Sequence, residues 1–240
     1  MSRFPHIARV LLVPLAVLAV VAAALATLAG TERGTAFLLD SASRFSGGVL
    51  HVGRARGRLL GELRLADLQL VFAGGELTVG SLVLDWHPAA LVRGTVVIDT
   101  LHLDAVSLRL DGSDGEEPES GALRPEELPL PVDVTLRDVQ VTGIEILVDG
   151  ENTAGVDRLV LSAALVDREL SIERFAIHSE LGSLSAAGDI AATDRLPMAL
   201  ALQWQAPLAD GVIAGGELVL RGDADRLEVG HSGRGALPVD

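Results

Sequence analysis

Several residue types are missing from this chain of 240 residues. It contains no cysteine, no lysine and no tyrosine, and aromatic residues make up only 3% of it. Without cysteine the protein has no disulfide bridge, no thiolate metal ligand and no cysteine nucleophile. With so few aromatic residues, most of the apolar surface that folding must bury belongs to leucine, valine and alanine.

Catalytic and metal-binding motifs are also missing. The six histidines occur without the i, i+4 pairing of a helical metal site, and there is no H-E-x-x-H, G-x-S-x-G, Walker or G-x-G-x-x-G motif. We expect His87 and His102 to point outward from strands. The acidic segment 111–119 has Ser113 and Gly115 where a calcium loop needs ligands. The sequence therefore predicts no catalytic residue, no metal site, no cofactor and no enzyme activity.

The net charge of −14 is unevenly distributed. Residues 1–100 carry nine Arg and seven acidic residues, whereas residues 101–240 carry ten Arg and 26 acidic residues. An acidic surface of this kind repels nucleic acid, so no nucleic-acid partner is expected. It is typical of a solubilising exterior around apolar strands.

Residues 10–29 form an uncharged apolar run. A helix of this length spans the roughly 30 Å hydrocarbon core of a bilayer, and Arg3 and Arg9 favour a cytoplasmic N-terminus. The sequence thus predicts a cytoplasmic tip at 1–9 and a single-pass signal anchor at 10–29. A cleaved signal peptide is the alternative, because residues 24–26 read Ala-Leu-Ala, a small-x-small cleavage site. In both cases the residues from 31 onward are exported.

A short amphipathic helix is predicted at residues 31–46. Helical spacing places Phe37, Leu38, Ala42 and Phe45 on one side, with an acidic residue near the N-terminus. We expect this helix to lie at the membrane surface or to cap the structure that follows.

From residue 47 to residue 240 the apolar residues alternate with period two, as in strands. Pairs of them follow the form h-x-h-x-x-h-x-h, so the alternation slips by one residue between pairs. A β-bulge would absorb each extra residue, keep both pairs on one face and bend the strand. We therefore predict a mainly β fold, with a curved, bulged antiparallel sheet whose concave face is apolar. The slips lie at 66–67, 80–81, 99–100, 104–105, 137–138 and 142–143. Short strands that end in turns at these positions would also fit the pattern.

Little in this region could cover such a sheet. Only 87–94 and 124–128 have helical signals, and both segments are short. Turn residues at 73–75, 148–150 and 215–216 predict tight connections between strands. Two interpretations stay open: two sheets face each other, or a groove holds something that is not protein.

Three motifs in the first part of the chain are familiar. They are G-x-E-x-G-x-x-x-L-L after the apolar run, G-x-L-L-G-x-L-x-L-x-D-L at 57–68, and L-x-L-x-W-x-P-x-x-L-x-x-G at 82–94. Over about residues 1–110 they resemble the amino-terminal region of the TamB family, within the AsmA-like group of bridge-forming proteins. In the third motif, Trp86 can anchor a strand end, Pro88 can stop the strand and Gly94 can end the turn.

The resemblance implies a taco-like β-gutter at 47–240, standing in the periplasm on an anchor in the bacterial inner membrane. It also implies roles in moving phospholipid toward the outer membrane and in outer-membrane protein assembly or secretion. Family members are usually far longer and end in a domain that meets an outer-membrane barrel partner of the TamA type. This chain is therefore expected to be a piece of a longer array or to lack that docking function.

Phospholipid acyl chains are the expected ligand of the gutter. A periplasmic scaffold that binds client strands at its sheet edges, without carrying lipid, is the alternative. The residues predicted to line the groove are Leu63, Leu65, Leu68, Leu70, Leu82, Leu84, Val96, Ile98, Leu101, Leu103, Val106 and Leu108.

Overall fold

The computed structural model describes residues 29–111, 133–191, 193, 195–208 and 213–235. The predicted anchor at 10–29, apart from its last residue, and the helical signal at 124–128 lie outside these ranges. None of the helices within them has the length and apolar character needed to cross a membrane.

One open, curved sheet of eleven strands dominates the described residues. The strands follow one another across the sheet in chain order, so each pairs with its sequence neighbours. Their bounds are β1 Leu50–Gly57, β2 Leu63–Phe72, β3 Gly75–Trp86, β4 Thr95–Leu110, β5 Asp133–Val148, β6 Glu151–Val166, β7 Glu169–Ser179, β8 Gly182–Ala191, β9 Met198–Pro207, β10 Ile213–Gly222 and β11 Leu227–Gly235.

The prediction of an antiparallel sheet needs one correction. The ladder between β4 and β5 is parallel, with Thr95 opposite Asp133 and Leu110 opposite Val148. The other ladders among the described strands are antiparallel. A parallel pair needs a connection of a dozen or more residues, and residues 111–132 supply it. Alternation along a strand carries no information about the direction of its partner, which is why the sequence did not reveal this ladder.

Four of the predicted slips form a line across the sheet, but they are not bulges. Strands β1 to β6 each carry one extra residue at the same level, so the extra residues face each other and the register continues unchanged. Three of them have a left-handed backbone, at Asp67, Ala105 and Gly143. We call this set the kink line: Gly53, Asp67, Gly80, Ala105, Gly143 and Asp157.

The slips at 99–100 and 137–138 lie on a second line, where true bulges occur. The register shifts by one residue beside Asp85 between β3 and β4, and it shifts again beside Leu136, Ser162 and Ile172 in the ladders from β5 to β8. Bulges bend a strand and increase its twist. Two parallel lines of irregularity thus cross the sheet.

The helical elements are short. Helix α1 spans Glu32–Phe45, and Thr31 caps it by accepting a hydrogen bond from the backbone N–H of Gly34 at 3.2 Å. A 310 helix spans Pro88–Arg93 and ends at Gly94, whose φ of 73° is left-handed. Phe37 and Phe45 of α1 are 61% and 90% exposed, so they do not pack on the sheet.

The predicted turn at 215–216 is wrong, because both glycines lie inside β10. A Cβ at Gly216 would lie 2.9 Å from the indole nitrogen of Trp204 on β9. The glycine therefore leaves room for a large side chain on the neighbouring strand.

No second sheet is present among the described residues. The substantial contacts between elements join neighbouring strands, α1 with β1, and the 310 helix with β4. The interpretation in which two sheets face each other is therefore wrong for the described residues. The sheet is a single layer.

Candidate functional site

The candidate site is one face of the sheet, on which apolar residues line up from strand to strand. Directly opposed residues lie on the same face and their Cβ atoms are about 5 Å apart. One such row contains Leu65, Leu82, Leu103, Val141, Leu159, Ile177, Leu184 and Trp204, one residue from each strand from β2 to β9.

A second apolar row runs beside the first. It contains Leu63, Leu84, Leu101, Val139, Leu161, Phe175, Ala186, Leu202 and Leu218, from β2 to β10. We call the two rows together the apolar stripe. With a strand spacing of 4.8 Å, it extends roughly 35 Å across the sheet.

All twelve residues predicted to line the groove fall on the stripe or on apolar rows that flank it. Six of them belong to the stripe itself. Val96 and Ile98 lie in rows beyond the bulges, opposite Val134 and Leu136. The other four lie beyond the kink line in two rows: Leu68, Val79, Val106, Ile144 and Val156, then Leu70, Leu77, Leu108, Ile146 and Ala154.

Some of these residues are deeply buried although the sheet is a single layer. Leu63 is 3% exposed, Val79 is 4% exposed and Val139 is 7% exposed. Most other residues of the stripe are half-buried. Since no described element packs over Val79 or Val139, neighbouring side chains of the same sheet must shield them.

The opposite face carries a polar network on β4 to β6. The Nε2 atom of His102 lies 2.8 Å from a carboxylate oxygen of Asp138, and Gln140 donates a hydrogen bond to the other oxygen at 2.9 Å. Arg158 donates to the side-chain oxygen of Gln140 at 2.8 Å. The hydrogen bonds from Gln140 and His102 hold the pKa of Asp138 below its ordinary value.

A second polar group lies beside the bulges of β4 and β5. Asp99 accepts a hydrogen bond from Arg137 at 2.5 Å, and its other oxygen lies 2.8 Å from Nδ1 of His87. His87 and His102 therefore both pair with carboxylates at the surface. Among the described residues, no group of three or more His, Asp or Glu side chains could hold a metal ion.

The residues predicted as a structural anchor lie at the end of β3. Trp86 is half-buried and faces Ile98, while its indole N–H donates to the carbonyl of Leu59 at 2.8 Å. Pro88 begins the 310 helix and Gly94 follows it. This hydrogen bond connects the end of β3 to the turn between β1 and β2. No sequence pattern predicts the contact.

The sequence interpretation missed the second half of the stripe. Val139, Val141, Phe175 and Ile177 show the same pairing as the first strands, but they were not assigned to the groove. No sequence pattern assigned Trp204 to the groove. Its side chain fits in the row because the residue opposite it on β10 is Gly216. Only the register shows that the stripe continues to β10.

Comparison with known proteins gave one match. A family model described as "TamB, N-terminal domain" matches residues 21–154, which is more than half of the chain. The matched range includes α1 and the strands β1 to β5, and it extends beyond the region that carries the three motifs. No curated protein and no solved structure matches the chain.

Proposed function

Because the chain belongs to the TamB family, we propose that it is a single-pass inner-membrane protein whose periplasmic sheet carries phospholipid toward the outer membrane. In the same setting it serves outer-membrane protein assembly and secretion, with a barrel protein of the TamA type as partner if a longer chain supplies the docking domain. The anchor is residues 10–29, and the work of the protein is binding and carriage without covalent chemistry.

The observation that carries this proposal is the continuous apolar stripe. It extends over nine strands, from β2 to β10, and no described element covers it. An acyl chain of about 14 methylenes gains roughly 11 kcal/mol on leaving water, at about 0.8 kcal/mol for each methylene. This term has no direction, so a lipid could be held out of water and still slide along the stripe.

Burial supports placing the stripe on the inside of the curve. In a single-layer sheet, a side chain on the outer face of a bend diverges from its neighbours and stays exposed. Leu65 and Val79 lie on opposite sides of the kink line, yet they are only 9% and 4% exposed. We infer that the sheet bends toward the stripe and forms a groove there.

The polar character of the other face supports the same assignment. The carboxylates of Asp99, Asp104 and Asp138 are all paired there, to Arg137, to the hydroxyl of Thr142 and to His102. Such groups are stable in contact with water, whereas the stripe is not. The sheet can therefore expose one face to the periplasm while the other holds lipid.

A pair of photo-crosslinking variants tests the groove. A photo-reactive residue at Leu103, in the stripe, should capture phospholipid when the full-length protein is irradiated in membranes. A photo-reactive residue at Val83 is the control, because Val83 is also aliphatic but belongs to the row of His102 and Gln140 on the other face. Mass spectrometry of the adducts gives the readout. Equal lipid labelling at both positions, or none at Leu103, would contradict the groove.

A charge in the stripe gives a second test. Leu103→Glu places a carboxylate among apolar neighbours, which costs several kcal/mol if the site is closed by acyl chains. Lipid co-purifying with this variant should fall strongly, whereas Val83→Glu should keep the wild-type amount. Circular dichroism would show that both variants retain the sheet.

The open edge of the sheet favours a second candidate function. Strand β11 pairs on one side only with β10, and its other side has no partner strand among the described residues. An unpaired edge can accept a client strand by β-augmentation. A peptide that competes with client proteins for β11 and leaves the lipid adducts at Leu103 unchanged would favour this scaffold function.

A further inference from the structure

A cluster of arginines lies at the end of the first hairpin, where β1 turns into β2. Arg56, Arg58 and Arg64 line a shallow cavity of about 290 Å³ together with Gly57 and Glu62. The turn is closed by a hydrogen bond from the N–H of Arg58 to the carbonyl of Glu62 at 2.8 Å. Three arginines and a single acidic residue thus line one opening.

The charges in this cavity are not balanced. Arg56 on β1 is directly opposite Arg64 on β2, and like charges in opposed positions destabilise a sheet. Glu62 is engaged with Arg64 at 2.6 Å. Arg56 and Arg58 have neither an ion pair nor a side-chain hydrogen bond with another described residue. An anion in the cavity would satisfy both and relieve the repulsion.

The cavity is next to one end of the apolar stripe. Gly57 is opposite Leu63, the first member of one apolar row, and Leu63 is 3% exposed. The turn that carries Arg58 therefore forms the rim between the arginine face and the apolar face. A molecule with an anionic group and an apolar tail could contact both at this point.

The same turn meets the segment that leads from the predicted anchor. The N–H of Leu60 donates to the carbonyl of Ala29 at 3.1 Å, and the N–H of Leu59 donates to the hydroxyl of Thr35 at 2.8 Å. Ala29 is the last residue of the predicted anchor. The arginine cluster is therefore at the end of the sheet where the chain would leave the bilayer.

The charge of the whole chain favours anion binding at this end. On the exported side of the predicted anchor, residues 31–64 contain six Arg and three acidic residues, whereas residues 65–240 contain eleven Arg and 30 acidic residues. A negatively charged ligand is attracted to the first hairpin and repelled by the strands that follow. Planar guanidinium groups also match the geometry of phosphate oxygens.

We propose that Arg56 and Arg58, with Arg64 beside them, bind the phosphate group of an anionic phospholipid while its acyl chains lie on the apolar stripe. This inference rests on the proposed function and adds a headgroup site to it. The site is where lipid is first received from the membrane, since beyond it the acidic remainder of the sheet offers the headgroup no counter-charge.

Titration calorimetry of the full chain, held in an amphipathic polymer, tests the headgroup site. The probes are dihexanoylphosphatidylglycerol, dihexanoylglycerol, which has the same tails without phosphate, and inorganic phosphate. At about fivefold for each arginine, the wild type should bind the phospholipid roughly 30-fold more tightly than dihexanoylglycerol. The double variant Arg56→Gln, Arg58→Gln should lose this preference and still bind both lipids.

A double variant with the same change in charge is the control. Arg221→Gln, Arg226→Gln removes two exposed arginines, one on β10 and one between β10 and β11, far from the cavity in the sheet order, so it should keep the full preference. An equal loss in this variant would show that net charge alone acts, and would overturn the site.

The remaining outcomes separate the two proposals. Equal affinity of the wild type for both lipids would overturn the headgroup site and leave the groove intact. If neither lipid bound, both the proposed lipid groove and the proposed headgroup site would be wrong. If inorganic phosphate bound as tightly as the phospholipid, the cavity would be a free-anion site and the lipid assignment would be wrong.

Discussion

Gly80 and Ala105 face each other on the kink line, and the glycine leaves room for the alanine in its left-handed conformation. Ala105 has a left-handed φ of 54°, which an alanine adopts at a cost of roughly 1–2 kcal/mol. A Cβ at position 80 would lie 3.0 Å from the methyl group of Ala105 and 3.3 Å from the carbonyl oxygen of Asp104. The absence of a side chain at Gly80 therefore relieves crowding around this alanine.

This pairing predicts a coupled response to mutation. Gly80→Ala should lower the free energy of unfolding by about 1 kcal/mol through crowding. Ala105→Gly should be neutral or stabilising, and in that background Gly80→Ala should cost clearly less. Urea denaturation of the two single variants and the double variant measures the coupling. Gly155→Ala is the control, since its nearest neighbour would be 3.9 Å away. Strictly additive effects of the two substitutions on the free energy of unfolding would contradict the proposed contact between positions 80 and 105.

Asp138 gives a prediction for pH. Hydrogen bonds from Gln140 and His102 lower the pKa of this carboxyl below its ordinary value of 3.8. A depressed pKa stabilises the fold above the unfolded-state pKa, and this contribution is lost as pH falls through the folded-state pKa. Asp138→Asn should therefore be less stable than the wild type at pH 6, and the difference should shrink below about pH 4. Urea midpoints across this range test it, and a difference independent of pH would contradict it.

At the scale of elements, Trp86 connects the end of β3 to the β1–β2 turn. Trp86→Phe leaves a smaller aromatic ring and removes the hydrogen bond to Leu59, so we expect it to lose about 1 kcal/mol more unfolding free energy than a variant that changes ring size alone. Trp204→Phe is the matched control, because Trp204 lies against Gly216 and no hydrogen bond from its indole to a described residue is seen. Equal losses in the two variants would mean that ring size, not the hydrogen bond, matters at Trp86.

Individual strands could be predicted from the sequence, but their mutual arrangement could not. Period-two alternation located the slips at Asp67, Gly80, Ala105 and Gly143, because small or turn-forming residues interrupt the pattern there. It could not show that the slips face each other and cancel, since that depends on the register. The parallel ladder between β4 and β5 could not be predicted for the same reason. Gly215 and Gly216 were predicted as a turn because the sequence does not distinguish a glycine in a turn from a glycine that makes room for a neighbouring side chain.

The candidate site follows the same division. Leu82 and Leu103 were assigned to a groove from alternation alone, and they are opposed in the structure. The continuation through Leu159, Ile177 and Leu184 needed the sheet order, which the sequence does not state. Arg56 and Arg64 are eight residues apart in the chain, and only the hairpin register brings them together. Local sequence patterns therefore identify which residues of one strand share a face. The pairing between strands is needed to know which of these residues form a continuous surface.

At the scale of the whole molecule, a single-layer sheet should be measurably less stable alone than with lipid. Few apolar residues of the described chain are buried below a tenth of their surface, and the urea m-value scales with the surface that unfolding exposes. Delipidated protein should therefore unfold with a lower m-value than a compact protein of equal length.

Adding dihexanoylphosphatidylglycerol at 100 times its dissociation constant should raise the free energy of unfolding by about 2.7 kcal/mol, because a ligand that binds only the folded state stabilises it by mass action. Leu103→Glu should remove most of this gain by placing a charge in the stripe, whereas Val83→Glu, on the other face, should retain it. Scanning calorimetry at fixed lipid concentration measures both variants against the wild type. A delipidated protein with an ordinary m-value and a melting temperature that lipid does not change would mean that the apolar face is already closed by protein. The proposed lipid groove would then be wrong.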